Sequence, residues 1–100
     1  MVDEKLIDEI KKIATDNKHE VYIRSDDKIE LVRAFGDQID SRFTIRPKED
    51  EMRYDFYTEG NGIIDSDVSF IDAKLFATWI KECNKQYEKE LYERDLDEED

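Results

Sequence analysis

The sequence predicts a single α+β domain in which helices cover one face of an antiparallel sheet. Amphipathic helical patterns stand at the two ends of the chain. Between them, four short stretches are rich in strand-forming residues, most of them with the apolar and polar alternation of half-buried strands. A chain of 100 residues can build one core of two packed layers but not two cores. We therefore expect the order α-β-β-β-β-α, in one domain over residues 1–94 followed by an acidic C-terminal tail over residues 95–100.

The first helix is expected to begin after Asp3 and to end near Asn17. Asp3 is a favourable N-cap because its carboxylate can accept hydrogen bonds from the free backbone N–H groups of the first turn. Val2 is placed to pack against Ile7 across this cap. The apolar residues of the segment recur on one stripe: Leu6, Ile7, Ile10, Ile13 and Ala14.

Four strands are expected to form an antiparallel meander. They are residues 20–24, 28–35, 39–45 and 52–57. The first two are expected to form a hairpin because Ser25-Asp26-Asp27 is a turn cluster of short polar side chains. Pro47 ends the third strand, and a glycine-rich turn over residues 59–62 closes the fourth. We expect residues 63–71 to be irregular.

A long second helix is expected to follow Asp72, another favourable N-cap, with Ile71 packing onto Phe76. Its apolar face consists of Leu75, Phe76, Trp79, Ile80, Cys83 and Tyr87. We interpret Trp79 and Cys83 as core residues of this face, not as a base-stacking platform or a reactive thiol. Beyond Tyr87 the apolar content thins, so the end of the helix is expected to project past the core or to fray.

The charge excludes ordinary binding to a phosphate backbone. The net charge is −12, whereas phosphate contacts require Lys and Arg. Residues 51–100 contain 15 acids and 6 bases, so most of the negative charge lies in the second half. Such a field favours basic partners, although many small proteins are acidic only for solubility. The apolar runs are too short to cross a bilayer, and Cys83 is the only cysteine, so we expect a cytoplasmic protein without an internal disulfide.

No motif indicates an enzyme, a metal site or a cofactor. His19 is the only histidine, and no sequence motif marks a nucleophile or an orienting group for it. The segment Asp65-Ser66-Asp67 begins like a calcium loop, but Phe70 stands where the sharp turn of that loop needs glycine. We therefore expect no catalytic residues and no cofactor, and a protein that acts by binding.

Acidic residues follow one stripe of the second helix. Spacings of three and four residues place the following positions on it: Glu82, Gln86, Glu90, Glu93 and Asp97. Neighbours on such a stripe are about 5 to 6 Å apart, and alternate residues of a strand about 6.6 Å apart, so both can present a regular row of charge. A parallel stripe of Lys81, Lys85 and Lys89 partly offsets it.

Short segments of the chain resemble the small acidic anti-CRISPR proteins of phages and prophages, which inhibit type II CRISPR nucleases by occupying the site for the protospacer-adjacent motif. Leu6-Ile7-Asp8-Glu9-Ile10-Lys11 is similar to the first helix of one such inhibitor, and Leu31-Val32-Arg33 with the acidic turn that follows is similar to its central hairpin. The most extensive similarity is Asn84-Lys85-Gln86-Tyr87-Glu88-Lys89-Glu90, continuing to Tyr92. Together they cover about half of the chain.

The resemblance implies that Asp37, Asp40, Glu88 and Glu90 act as phosphate and base-edge mimics facing the arginines that read the motif. Two departures bear on the exact target surface. Lys89 stands where the family pattern has an acid, and the strand over residues 52–57 is additional to a three-stranded arrangement.

Two functions from different classes are compatible with the sequence. The first is inhibition of a nucleic-acid enzyme by mimicry, most plainly of a CRISPR nuclease, through the acids of the turn and the late helix. The second is an interaction or immunity protein that binds its partner through the sheet face, without mimicry. Both require a protein partner, and neither requires direct contact with nucleic acid or a membrane.

Overall fold

The computed structural model describes residues 3–36, 39–58 and 62–98, and places side chains for residues 3–34, 39–58 and 62–90. The elements in chain order are α1 (Glu4–Asp16), β1 (Glu20–Ser25), β2 (Lys28–Gly36), β3 (Ile39–Arg46), a 3-10 turn (Pro47–Glu49), β4 (Glu51–Thr58), β5 (Gly62–Ser69) and α2 (Ala73–Glu98). The predicted α+β class and the helix, meander, helix order are confirmed.

The strands form one antiparallel sheet in which each strand pairs with its neighbours in sequence, in the order β1-β2-β3-β4-β5. Phe43 of β3 lies opposite Leu31 of β2 and Tyr54 of β4, and all three are buried. Since side chains alternate along a strand, this register assigns every strand residue to one of two faces. We call the face that packs against α1 and α2 the helix face, and the opposite one the open face.

The sequence predicted four strands, and the described residues contain five. Residues 63–71, expected to be irregular, mostly belong to β5, which pairs with β4 from Met52 opposite Ser69 to Thr58 opposite Gly62. The strand was missed because neither of its faces is buried, so the apolar and polar residues do not alternate. A bulge at Ile64 breaks the period further, since the partner of Phe56 is Asp65 and the partner of Tyr57 is Ile63.

Helix α1 begins and ends where its caps predict. The Asp3 carboxylate accepts a hydrogen bond from the backbone N–H of Lys5 at 3.0 Å, and Asn17 is the C-cap. Lys18 adopts a left-handed conformation, with φ of 64°, and the backbone N–H of His19 donates to the Ala14 carbonyl at 2.9 Å. These bonds turn the chain sharply into β1. The predicted contact of Val2 lies outside the described residues.

Helix α2 is capped by Asp72, whose carboxylate accepts a hydrogen bond from the backbone N–H of Leu75 at 2.8 Å. Trp79 and Cys83 are buried in the core, as predicted. At about 1.5 Å per residue its 26 residues span about 39 Å, and Cys83 is the last buried position among its described side chains. The helix therefore continues past the core. It also continues past residue 94, the predicted end of the domain, as far as Glu98. That residues 95–100 form a separate acidic tail stays a prediction.

Aromatic packing around Phe43 joins the sheet to α2. The ring of Phe43 stacks on Tyr54 with centroids 4.9 Å apart and meets Phe76 of α2 edge to face at 4.8 Å. Tyr54 in turn lies 6.3 Å from Trp79. Such pairs add about 0.5 to 1.5 kcal/mol each to the free energy gained by burial. Phe43 is thus the centre of the contact between the two layers.

Replacing Phe43 by alanine is expected to lower the free energy of unfolding by about 3 to 5 kcal/mol, because the change opens a cavity between the two layers. Thr44→Ala is the matched control, since Thr44 is the next residue of β3 and lies on the open face, and it should cost less than about 1 kcal/mol. Urea denaturation followed by Trp79 fluorescence measures both. Equal losses in the two variants would contradict this account of the core.

Candidate functional site

The open face carries balanced charge. Its five bases are Arg24, Lys28, Arg42, Arg46 and Arg53, and its five acids are Glu20, Glu30, Asp40, Glu51 and Asp55. Since these ten charges cancel, the net charge of −12 is carried by the rest of the chain. The net negative charge of the protein therefore does not lie on the broad face of the sheet.

Glu30 is the centre of an ion-pair cluster on the open face. Its carboxylate lies 3.0 Å from Nε of Arg24, 3.4 Å from Nε of Arg42 and 3.9 Å from Nζ of Lys28. The side chain of Glu30 is largely buried by these neighbours, which remain about half exposed. Glu30 thus forms ion pairs with three of the five bases of this face. The face therefore offers little unpaired positive charge to a ligand.

A shallow pocket of about 290 Å³ lies between β2 and β5. Its lining is Val32, Asp40, Ser41, Arg42, Asp55, Tyr57 and Ile63. Asp40 faces Tyr57 across the strand pair, and Arg42 faces Asp55. Tyr57 and Ile63 of the lining are exposed apolar side chains, and the same face exposes two more, Tyr22 and Val68. The open face therefore combines apolar surface with paired charges, which is typical of protein-binding surfaces.

A second group of acids lies along the junction of β5 and α2. Asp65 and Asp67 are exposed on the helix face, because they lie opposite the buried residues Phe56 and Tyr54. Burial raises the pKa of the Tyr54 hydroxyl and Cys83 raises it further. Asp65 and Glu82 of α2 make smaller contributions in the same direction, which places both acids near Tyr54. We call Asp65, Asp67 and Glu82 the β5–α2 acidic side. Of these three acids only Glu82 was predicted as a binding residue, although the alternation Asp65-Ser66-Asp67 was a signal for the other two.

The structure distributes the predicted binding residues over separate surfaces. Asp40 lies on the open face, whereas Glu82 belongs to the β5–α2 acidic side. Glu88 lies beside the end of α1, among Asp16, Asn17, Lys18 and Asn84. Glu90 accepts a hydrogen bond from Nε2 of Gln86 at 3.0 Å, as expected for neighbours on one helical stripe. Asp37 and the side chains of Glu93 and Asp97 lie outside the described residues.

His19 makes a buried contact that the sequence did not reveal. Its Nδ1 lies 3.0 Å from the Asn17 carbonyl, and its Nε2 lies 2.6 Å from Oγ of Ser41 on β3. A carbonyl only accepts, so Nδ1 donates the proton. Burial lowers the pKa of His19 to about 4, with a further lowering by Arg33. At neutral pH the ring is therefore uncharged, and Nε2 accepts the Ser41 hydroxyl proton.

The hydrogen bond between Ser41 and His19 has the geometry of an activated nucleophile, but the Ser41 hydroxyl is not accessible to a substrate. Ser41 is fully buried and His19 nearly so, so a substrate cannot reach the hydroxyl. The pKa of the neighbouring Cys83 thiol is raised by burial, the reverse of what a reactive thiol needs. We interpret the chain from Asn17 through His19 to Ser41 as a structural link between the end of α1 and the middle of the sheet. A second link runs from Arg33 to Asn84 at 3.0 Å.

Among the described residues, no group of three or more His, Cys, Asp or Glu side chains is arranged to hold a metal ion. In the same part of the chain, no helix is both long and apolar enough to cross a membrane. Comparison with protein-family models, curated proteins and solved structures finds no match to this chain. The function must therefore be inferred from the surfaces of the protein alone.

The free energy of unfolding should fall as the pH is lowered from about 6.5 to about 4. In this range the unfolded chain takes up a proton on His19, whereas the folded chain, with its lowered pKa, does not. At about 1.4 kcal/mol per pKa unit the loss approaches about 3 kcal/mol.

Urea denaturation at a series of pH values measures this loss, and His19→Gln isolates it from the titration of carboxylates. The free energy of unfolding of wild type minus that of His19→Gln should decrease, or change sign, as the pH falls. If the two curves run parallel through the whole range, His19 is not buried in the uncharged form.

Proposed function

We propose that the protein is an acidic inhibitor that binds the basic nucleic-acid-binding surface of an enzyme, with a type II CRISPR nuclease as the first target. The observation that carries this proposal is the separation of charge between the two sides of the sheet. The open face is balanced, whereas residues 62–98, which include β5 and α2, contain ten acids and five bases. The net charge of −5 over this stretch favours a basic partner surface.

The β5–α2 acidic side supplies the row of carboxylates that such mimicry needs. Asp65 and Asp67 are alternate residues of a strand, so they project on the same side about 6.6 Å apart. Glu82 of α2 lies near Tyr54, as Asp65 does, and all three acids are exposed. By contrast, Asp40 shares its pocket with Arg42, which offsets its charge. We therefore assign the binding role to the β5–α2 acidic side and give Asp40 no part in it.

Replacing all three acids, as Asp65→Asn, Asp67→Asn and Glu82→Gln, should weaken inhibition by at least about a hundredfold. Each carboxylate that leaves a desolvated arginine unpaired costs on the order of 2 kcal/mol or more. The control triple, Asp8→Asn, Glu9→Gln and Glu49→Gln, removes the same charge from exposed positions elsewhere.

The assay measures binding of labelled duplex DNA to a guide-loaded type II CRISPR nuclease in the presence of each protein. If the two triple variants weaken inhibition equally, inhibition depends on the total charge of the protein and not on the position of the acids. The absence of any inhibition by the wild type would remove this nuclease as the target, and the partner recovered from a host lysate would then be tested with the same variants.

A second candidate function is favoured by the exposed apolar residues of the open face. Tyr57 and Ile63 line the pocket, and Val68 is exposed on the same face. A partner that docks on these side chains would need no mimicry. This is the interaction-protein hypothesis, in which acidity serves only solubility.

Salt dependence separates the two candidates. Binding through the β5–α2 acidic side should weaken by at least about tenfold between about 50 and about 200 mM salt, because opposite fields are screened over about 8 Å at physiological ionic strength. Binding through the open face should change less, since six of its ten charges are already in ion pairs. Titration calorimetry with the recovered partner measures the affinity at each salt concentration. A salt-independent affinity would favour binding through the open face.

A further inference from the structure

Strand β5 is a long sheet edge that no described residue covers. It contains eight residues, and all but its first and last are exposed. Ile63, Ile64 and Val68 are among the exposed apolar residues of the protein, and Phe70, just past the strand, is 67% exposed. Proteins usually protect such an edge with lysine or other charged side chains, proline, a bulge or a very short strand, and of these β5 has a bulge near its first end, at Ile64, and two aspartates. Gly62–Ser69 contains no lysine and no proline, and it is as long as β4.

The backbone of β5 has hydrogen-bonding groups that face away from the sheet. The N–H of Val68 donates to the carboxylate of the adjacent Asp67 at 2.9 Å, so it does not point toward β4. Because ladder groups alternate along an antiparallel strand, the N–H and C=O of Ser66 point outward as well. The outward N–H of Val68 is thus satisfied by a side chain that can rotate away when another strand arrives.

The two faces of this edge indicate the chemistry of the incoming strand. On the helix face, Asp65 and Asp67 would lie beside its side chains, and on the open face Ile63 and Val68 would do so. A second copy of β5 is a poor occupant, since antiparallel pairing would set aspartates against aspartates, and like charges opposite one another destabilise a sheet. A strand with Lys or Arg toward the helix face and apolar residues toward the open face complements both rows.

We propose that β5 is a docking edge that binds an extended basic segment of a partner protein as a sixth strand. Main-chain hydrogen bonds to Ser66 and Val68 provide affinity, and cations opposite Asp65 and Asp67 provide selectivity. The inference rests on the proposed function in one respect, that the β5–α2 acidic side faces a basic partner. It does not require that this partner handle nucleic acid.

The probe is a labelled peptide of seven residues, Thr-Lys-Val-Lys-Val-Lys-Thr, titrated against the protein and followed by fluorescence anisotropy and by backbone amide shifts. A peptide with glutamate in place of lysine tests charge. A peptide with proline in place of one valine tests strand pairing, because the valines lie opposite Ser66 and Val68 and carry the N–H groups that bond to β5. We expect binding of the first peptide only, with amide shifts concentrated in residues 63–69.

Three variants locate the site. Ser66→Pro removes one outward N–H without removing a bond to β4, because proline is tolerated where a strand N–H faces solvent, and it should abolish binding. The pair Asp65→Asn and Asp67→Asn should weaken binding at least about tenfold, while the amide that replaces the Asp67 carboxylate keeps an oxygen for the Val68 N–H. The matched pair Asp8→Asn and Glu9→Gln on α1 should leave it unchanged.

Several results would overturn the proposal. They are absence of binding of the lysine peptide, binding that survives Ser66→Pro, and equal weakening by the control pair. A concentration-dependent dimer that Ser66→Pro dissolves would also overturn it, by showing that a second copy occupies the edge. Because the peptide assay contains no nuclease, its failure is independent of failure in the inhibition assay, and either proposal can fall alone.

Discussion

The packing of Phe76 of α2 against Phe43 of β3 holds the two layers together, and the other surfaces depend on where it lies. It fixes α2 over the middle strands, with α1 beside it on the same face. With both helices on one side, the opposite face of the sheet is left to solvent, and β5 extends beyond the cover that α2 provides. The open face and the β5 edge are therefore direct consequences of a core that is centred on β3 and built on one side only.

Local rules were enough to predict the elements that this core buries on one face. Strands β3 and β4 alternate strictly because their helix-face residues are buried and their open-face residues are not. The helix boundaries followed from Asp3 and Asp72, whose carboxylates bond the first turns as expected. Strand β5 escaped because its structure is imposed by pairing with β4, not by its own pattern. A strand exposed on both faces carries no periodic signal of burial.

The candidate site was harder to predict than the fold, because a sequence gives the number of charges but not their positions on the surface. Asp40, Glu82 and Glu88 are all acids of the predicted set, yet they lie on three different surfaces. Glu30 gave no sequence signal, since its three cationic neighbours come from three strands. The contact of His19 with Ser41 likewise joins residues 22 positions apart. These contacts exist only once the register of the sheet is set.

The length of α2 separates the charge at its C-terminal end from the charges of the sheet. Fifteen residues separate Cys83 from Glu98, or about 22 Å of helix, which is well over twice the screening length of about 8 Å at physiological ionic strength. Charge at the distal end is therefore not cancelled by the bases of the sheet, and the protein has a permanent dipole along this axis. If the proposed partner presents a basic surface, that surface would exert a torque on this dipole before any contact is made, and the distal helix would bias the orientation of first encounter.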